Sequence, residues 1–195
     1  MPSCRCSPLR VHSRSRAGFF GRAAGVWLIV LLVLVASKRA TLAQRRERPQ
    51  PTYSNVAYGP HPQNVLDFWS CGRSKPAPLV IYIHGGGFRA GSKNNFPVGV
   101  LRQLLAAGIH VASVEYRLVQ HAPLPAAHQD VKRAVQFLRY KAVEWNIDKR
   151  RIGAFGGSAG AQLSMWLAFH DDMANPGSPD PIERESTRLM CVATN

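Results

Sequence analysis

Residues 79–83 form an uninterrupted apolar run, and residues 110–116 and 151–155, though His110, Ser113, Glu115 and Arg151 interrupt them, also read as buried strands. Runs this short, without polar alternation, are the mark of strands covered on both faces. Each is followed by helical sequence. One helix is expected from Pro97 to Gly108, proline first and glycine last. The clearest helix follows Pro125, where Val131, Ala134, Val135, Leu138, Ala142 and Trp145 recur on one face. Lys132, Arg133, Gln136, Arg139 and Lys141 fill most of the remainder, which reads as a solvated face. A third helix is expected over 159–169. Alternation of this kind implies a mainly parallel sheet with right-handed crossovers and helices on both faces, a three-layer α/β architecture. Two shorter strands, at 54–58 and 65–69, flank the turn Gly59-Pro60-His61-Pro62 and suit an antiparallel lead into the sheet. Residues 175–181 read as a loop and 187–194 as the start of a further strand, so 53–195 is expected to be the N-terminal part of such a domain.

The charge is unevenly placed. The chain carries 25 Lys and Arg against 11 Asp and Glu, a net +14. Arg5, Arg10, Arg14, Arg16, Arg22, Lys38 and Arg39 all precede Gln44, and no acidic residue does. The remainder is only mildly basic, so no nucleic-acid partner is expected. Residues 1–43 read as a signal peptide: a basic stretch, an apolar run over 23–36, then the small-x-small sequence Thr41-Leu42-Ala43. The run is short of the roughly 20 residues that cross a bilayer as a helix. Basic residues flank it on both sides, so an uncleaved membrane anchor stands as the alternative. Either reading makes the protein exported. Residues 44–52 read as a charged, Pro-containing linker. Cys71 and Cys191 either form a disulfide or remain free thiols, and no Cys/His spacing suggests zinc.

Gly156-Gly157-Ser158-Ala159-Gly160 is a G-x-S-x-G sequence set between an expected buried strand and an expected helix. That is the setting of a nucleophile elbow, whose strained turn needs small neighbours two residues before and after the serine. Ser158 is therefore the candidate nucleophile, at the positive end of the following helix. His84-Gly85-Gly86-Gly87-Phe88 closes another buried strand. Consecutive glycines let backbone N–H groups turn inward toward a developing oxyanion. Gly86 and Gly87 are the expected donors, with the N–H of Ala159 as the third. His84 is expected to order the loop by hydrogen bonds, with Gly85, Gly156 and Gly160 supporting the two turns.

These residues, with Leu66-Asp67-Phe68, Tyr116-Arg117-Leu118, Pro125-Ala126-Ala127 and Asp130, resemble the hormone-sensitive-lipase-type and carboxylesterase branch of the α/β-hydrolases. The chain is also similar to secreted feruloyl-esterase-like hydrolases. The resemblance spans residues 64–160. It implies a cofactor-free serine esterase that works through an acyl-enzyme on esters of short or aryl acids, and export points to a small-molecule or polysaccharide-linked ester as the expected substrate. Tyr116, Arg117 and Asp130 would be structural. Phe88, Arg89 and residues 92–96 would line one side of the entrance.

The triad of this fold runs Ser, Asp or Glu, then His. After Ser158 the sequence holds one histidine, His170, with no acid between them. Along a helix His170 would stand about 18 Å away. The acid and base are therefore expected beyond residue 195, and the chain by itself is expected to fold poorly. Three other readings compete with the esterase: an inert remnant, a serine peptidase of the same fold, and a non-catalytic binding module.

Overall fold

The computed structural model describes residues 47–195. The expected signal segment lies outside the described residues. Six strands form one sheet: β1 (Tyr53–Ala57), β2 (Val65–Trp69), β3 (Ala77–Ile83), β4 (His110–Val114), β5 (Ile147–Gly156) and β6 (Cys191–Thr194), in spatial order β1-β2-β4-β3-β5-β6. β1 pairs with β2, and β2 with β4, antiparallel. The β4/β3, β3/β5 and β5/β6 pairs are parallel. The helices are α1 (Val98–Ala106), α2 (Ala126–Tyr140) and α3 (Ala159–Phe169). A single 3-10 turn, Lys93–Asn95, precedes α1.

Strand alternation divides the interior into two layers. On β3, Leu79, Ile81 and Ile83 join the core beneath α2 and α3, while Tyr82 points to the α1 face. β4 divides likewise, Ala112 and Val114 to one side and Val111 to the other. On β5, Ile152 and Ala154 face α2 and α3, and Phe155 faces α1. Both faces are apolar because both are covered, which is why these strands show no polar alternation.

The connection from β3 through α1 runs to β4 on one side. The chain then returns through α2 to β5 on the other side of β3, and α3 carries it outward toward β6. Neighbouring strands β3 and β5 thus send their following segments in opposite directions. A crevice opens at their C-terminal ends, the usual ligand position in open α/β sheets.

Three local readings change. α2 ends at Tyr140, capped by Lys141, so Ala142 and Trp145 lie beyond the helix. They stay buried because the following turn keeps against the sheet; Trp145 packs 4.7 Å from Phe68 and 4.9 Å from Tyr53. The polar face of α2 is not simply solvated. Gln136 and Arg139 are buried under residues 171–190. Gln136 Nε2 donates to the carbonyls of Glu183 and Glu185 at 2.9 and 2.8 Å. Arg139 Nη2 donates to Arg188 O at 2.5 Å, and Arg133 pairs with Asp180 at 2.8 Å. A polar helix face meets solvent only where no other chain covers it, and here a polar loop does. Finally, β6 begins at Cys191; Thr187 instead binds the Asp172 carboxylate through its backbone N–H at 2.9 Å. Cys71 and Cys191 are both free thiols.

Candidate active site

Both glycine-rich turns emerge at the crevice between β3 and β5. Ser158 caps the N-terminus of α3 with φ 53° and ψ −119°. A side chain other than glycine holds such a conformation only where its surroundings enforce it. The enforcement is visible in the glycines. A Cβ on Gly156 would sit 2.5 Å from the Gly160 carbonyl carbon and 2.8 Å from Ile83 O. One on Gly160 would overlap Ile83 O and stand 2.8 Å from His84 O. Strand β5, the elbow and the first turn of α3 are therefore pressed against the end of β3, with no room for a methyl group. Gly85 meets the elbow from the other side: its Cβ would lie 2.6 Å from Gly157 O and 3.5 Å from Ser158 Cβ.

The glycine run turns sharply, with φ 117° at Gly86 and 59° at Gly87, followed by 61° at Phe88. Gly86 O accepts from the N–H groups of Arg89 and Ala90, each at 3.0 Å. Among the described residues, no acceptor is found for the N–H groups of Gly86, Gly87 or Ala159. A cleft of about 360 Å³ beside Ser158 is lined by Tyr82, Gly85, Pro97, Phe155, Gly157 and Asn195. Phe88, Arg89 and residues 92–96, expected at the entrance, are not among the residues that line this cleft. Phe88 stacks toward His128 at 6.1 Å, and Phe96 is buried against Tyr82 at 4.5 Å. Within 92–96 the 3-10 turn buries Lys93 and Phe96 follows it into the core, while Asn94 and Asn95 stay exposed; Tyr82, Pro97 and Phe155 form the wall of the cleft.

His84 is fully buried. Its Nδ1 lies 2.8 Å from Gly85 O and its Nε2 3.1 Å from Glu115 Oε1. Its ring stacks on Tyr116 at 4.2 Å, and Tyr116 Oη donates to His84 O at 2.7 Å. Burial and the nearby Glu115 carboxylate push the Tyr116 phenol well up, so it remains a donor. Arg117 grips Asp130 through Nη2 at 2.6 Å and Nε at 2.9 Å, and its backbone N–H adds a third contact at 2.9 Å. That ties the end of β4 to the first turns of α2, the structural role expected for this pair.

The other described histidines have contacts of their own. His110 Nδ1 accepts from Cys71 N at 3.1 Å, and its Nε2 meets Asn146 O at 3.0 Å. His121 accepts from Leu118 N, and His128 is bonded to Gln162. His61 accepts from Gln63 N, and His170 packs on Trp166 at 5.0 Å. The sequence reading gave no role to Glu115 and did not foresee that Lys93 and Asp67, named only as entrance and motif positions, pair with each other. Lys93 Nζ donates to Asp67 Oδ2 at 2.7 Å inside the protein. The available signal was a carboxylate next to Tyr116-Arg117 at the end of a buried strand, and a lysine just after the glycine loop.

The fold has parallels among solved structures. It superposes on an acetyl ester-xyloside bifunctional hydrolase from Caldicellulosiruptor lactoaceticus with a TM-score of 0.61 at 30% identity, covering 74% of this chain and 55% of that one. A truncated carbohydrate esterase from gut microbiota gives 0.62 at 25% identity, covering 72% and 54%. The fold is thus that of the α/β-hydrolases. Residues 66–190 match the BD-FAE family, and the chain belongs to it. Among curated relatives, esterase LipC of Mycobacterium tuberculosis is 35% identical over 111 residues, 56% of this chain and 28% of that protein. Carboxylesterase NlhH of the same species is 34% identical over 91 residues, 47% and 28% of the two chains. The chain spans about a third or less of the length of these relatives.

Proposed function

We propose that this chain carries the nucleophile and oxyanion hole of a carboxylic-ester hydrolase. The observation that carries the reading is Ser158 held at φ 53° on the β5–α3 junction, against a glycine loop whose Gly86 and Gly87 N–H groups find no acceptor among the described residues. Ser158 Oγ attacks the ester carbonyl, and the negative charge moves onto the carbonyl oxygen. The N–H groups of Gly86, Gly87 and Ala159 receive that oxyanion, aided by the positive end of α3. Collapse expels the alcohol and leaves an acyl group on Ser158, which water then removes. Proton transfer at each step needs a general base and its acid partner. Among the described residues no side chain is hydrogen-bonded to Ser158 Oγ, and this reading assigns neither group to them.

The relatives' esterase activity and the carbohydrate-ester neighbours support an ester substrate. The small-molecule and polysaccharide-linked classes both fit, and export rests on the basic and apolar composition of residues 1–43. The test is covalent labelling of the full gene product with a fluorophosphonate probe, followed by mapping of the modified residue. Label on Ser158, lost in Ser158→Ala, is the expected result. Label on another residue, or none on a folded wild-type protein, would remove the esterase reading.

A further inference from the structure

The loop that follows β3 is held at both ends by one carboxylate. Glu115 stands directly after β4, the neighbour of β3 in the sheet, and is itself buried. Its Oε1 meets Nε2 of His84, the first residue of the loop, at 3.1 Å. Its Oε2 accepts from the backbone N–H of Lys93, where the loop enters the 3-10 turn, at 3.0 Å. Between these two points lie Gly85, Gly86 and Gly87. From this geometry we infer that Glu115 is a positioning residue for the oxyanion loop, an assignment that rests on the function proposed above.

Glycine loops have few conformational restraints of their own. Gly86 and Gly87 sit at positive φ, so their N–H directions depend on where the ends of the loop are pinned. His84 transmits the near end: its other ring nitrogen reaches Gly85 O at 2.8 Å, so a shift of the imidazole moves the first glycine. Lys93 transmits the far end. Its carbonyl accepts from Ser113 Oγ at 2.6 Å and its ammonium is locked to Asp67, so the turn is fixed to β2 and β4. Glu115 is held in turn by backbone contacts on either side. Its N–H donates to Val65 O at 2.9 Å, and its carbonyl accepts from Tyr58 Oη at 2.5 Å. The carboxylate is therefore a rigid two-pronged bracket, with one oxygen for each end of the loop. It touches no reacting atom. Its effect on chemistry passes through the aim of the Gly86 and Gly87 N–H groups, where a misplacement of about 1 Å can lower turnover on the order of a hundredfold.

The experiment compares wild type, Glu115→Ala and Glu115→Gln in the full gene product by two readouts. Hydrogen exchange followed by mass spectrometry reports the amides of residues 85–93. Hydrolysis of p-nitrophenyl acetate reports kcat and KM separately. Glu115→Ala releases both ends. Exchange in the loop should rise about tenfold or more while β3, β4 and β5 stay protected. kcat should fall roughly 10- to 100-fold with KM within about threefold of wild type, the pattern of an interaction realised in the transition state. Glu115→Gln keeps one acceptor oxygen and presents an amide N–H₂ to the other partner, so it should fall between the two on both readouts. It also carries the test if the alanine variant does not fold. Loop exchange at the wild-type rate, or turnover within about twofold of wild type in a variant that has lost the carboxylate, overturns the assignment. A wild-type protein that neither takes the probe at Ser158 nor hydrolyses the ester refutes the proposed function instead. Loop exchange then decides alone whether Glu115 holds the loop.

Discussion

Replacing Gly160 by alanine tests the close approach of α3 to β3 on which the elbow depends. Gly160 is the second residue of α3 and is not in the left-handed region. By conformational preference alone, alanine in a helix should stabilise by roughly 0.5–1 kcal/mol. The structure reverses the sign. The added methyl group would overlap Ile83 O and lie 2.8 Å from both Ile83 C and His84 O. These are backbone atoms in a paired strand, without a flexible side chain that could swing aside. Overpacking of this kind costs about 1–3 kcal/mol and sometimes more. Because the clashing atoms are backbone, the upper half of that range applies, and the net destabilisation should be about 1–2.5 kcal/mol. Gly99, on α1, provides the control: a Cβ there meets nothing within 4 Å. Gly99→Ala should stabilise by about 0.4–1 kcal/mol, chiefly by restricting the unfolded chain. Urea unfolding followed by far-UV circular dichroism measures both, as opposite displacements of the midpoint at constant slope. If Gly160→Ala raises the midpoint as Gly99→Ala does, the tight seat of the elbow on β3 is wrong.

Two further outcomes follow from the packing around α2. Gln136→Ala removes both amide hydrogen bonds to the carbonyls of Glu183 and Glu185, at about 0.5–1.5 kcal/mol each. Limited trypsin digestion should then cut faster at Arg184 and Arg188, and unchanged cleavage would mean that the loop does not depend on α2. The second concerns pH. Burial lowers the pKa of both His110 and His128 below the usual histidine value. The unfolded chain therefore binds protons first as the pH falls through about 6.5, while the folded histidines are still neutral. Stability from these two groups is complete above that value and declines toward their folded values, by at most about 1.4 kcal/mol per pH unit for each. The urea midpoint should drop between pH 7.5 and 5, and less so in His128→Gln. A flat profile would contradict the burial of these rings.

Much of this protein is decided locally and so can be read from its residues in order. The segments 79–83, 110–114 and 151–155 became strands because a short, mostly apolar segment has one way to satisfy its backbone while hidden on both faces. The residues of G-x-S-x-G and His-Gly-Gly-Gly are likewise a local matter, since steric limits on φ at Ser158, Gly86 and Gly87 act within a few bonds. What lay between distant segments could not be read in this way. Gln136 and Arg139 looked solvated because their partners stand more than forty residues further along the chain. Ala142 and Trp145 looked helical because burial and the helical period coincide there, although the chain had already turned. Tyr82, Pro97 and Phe155 came to line the cleft because Lys93 is drawn in to Asp67 and Glu115 and Phe96 is packed against Tyr82, contacts between segments far apart in sequence. Glu115 itself is one carboxylate in sequence. It becomes the brace of the glycine loop only when β4 is laid beside β3, because a hydrogen bond depends on position in space and carries no trace of separation along the chain.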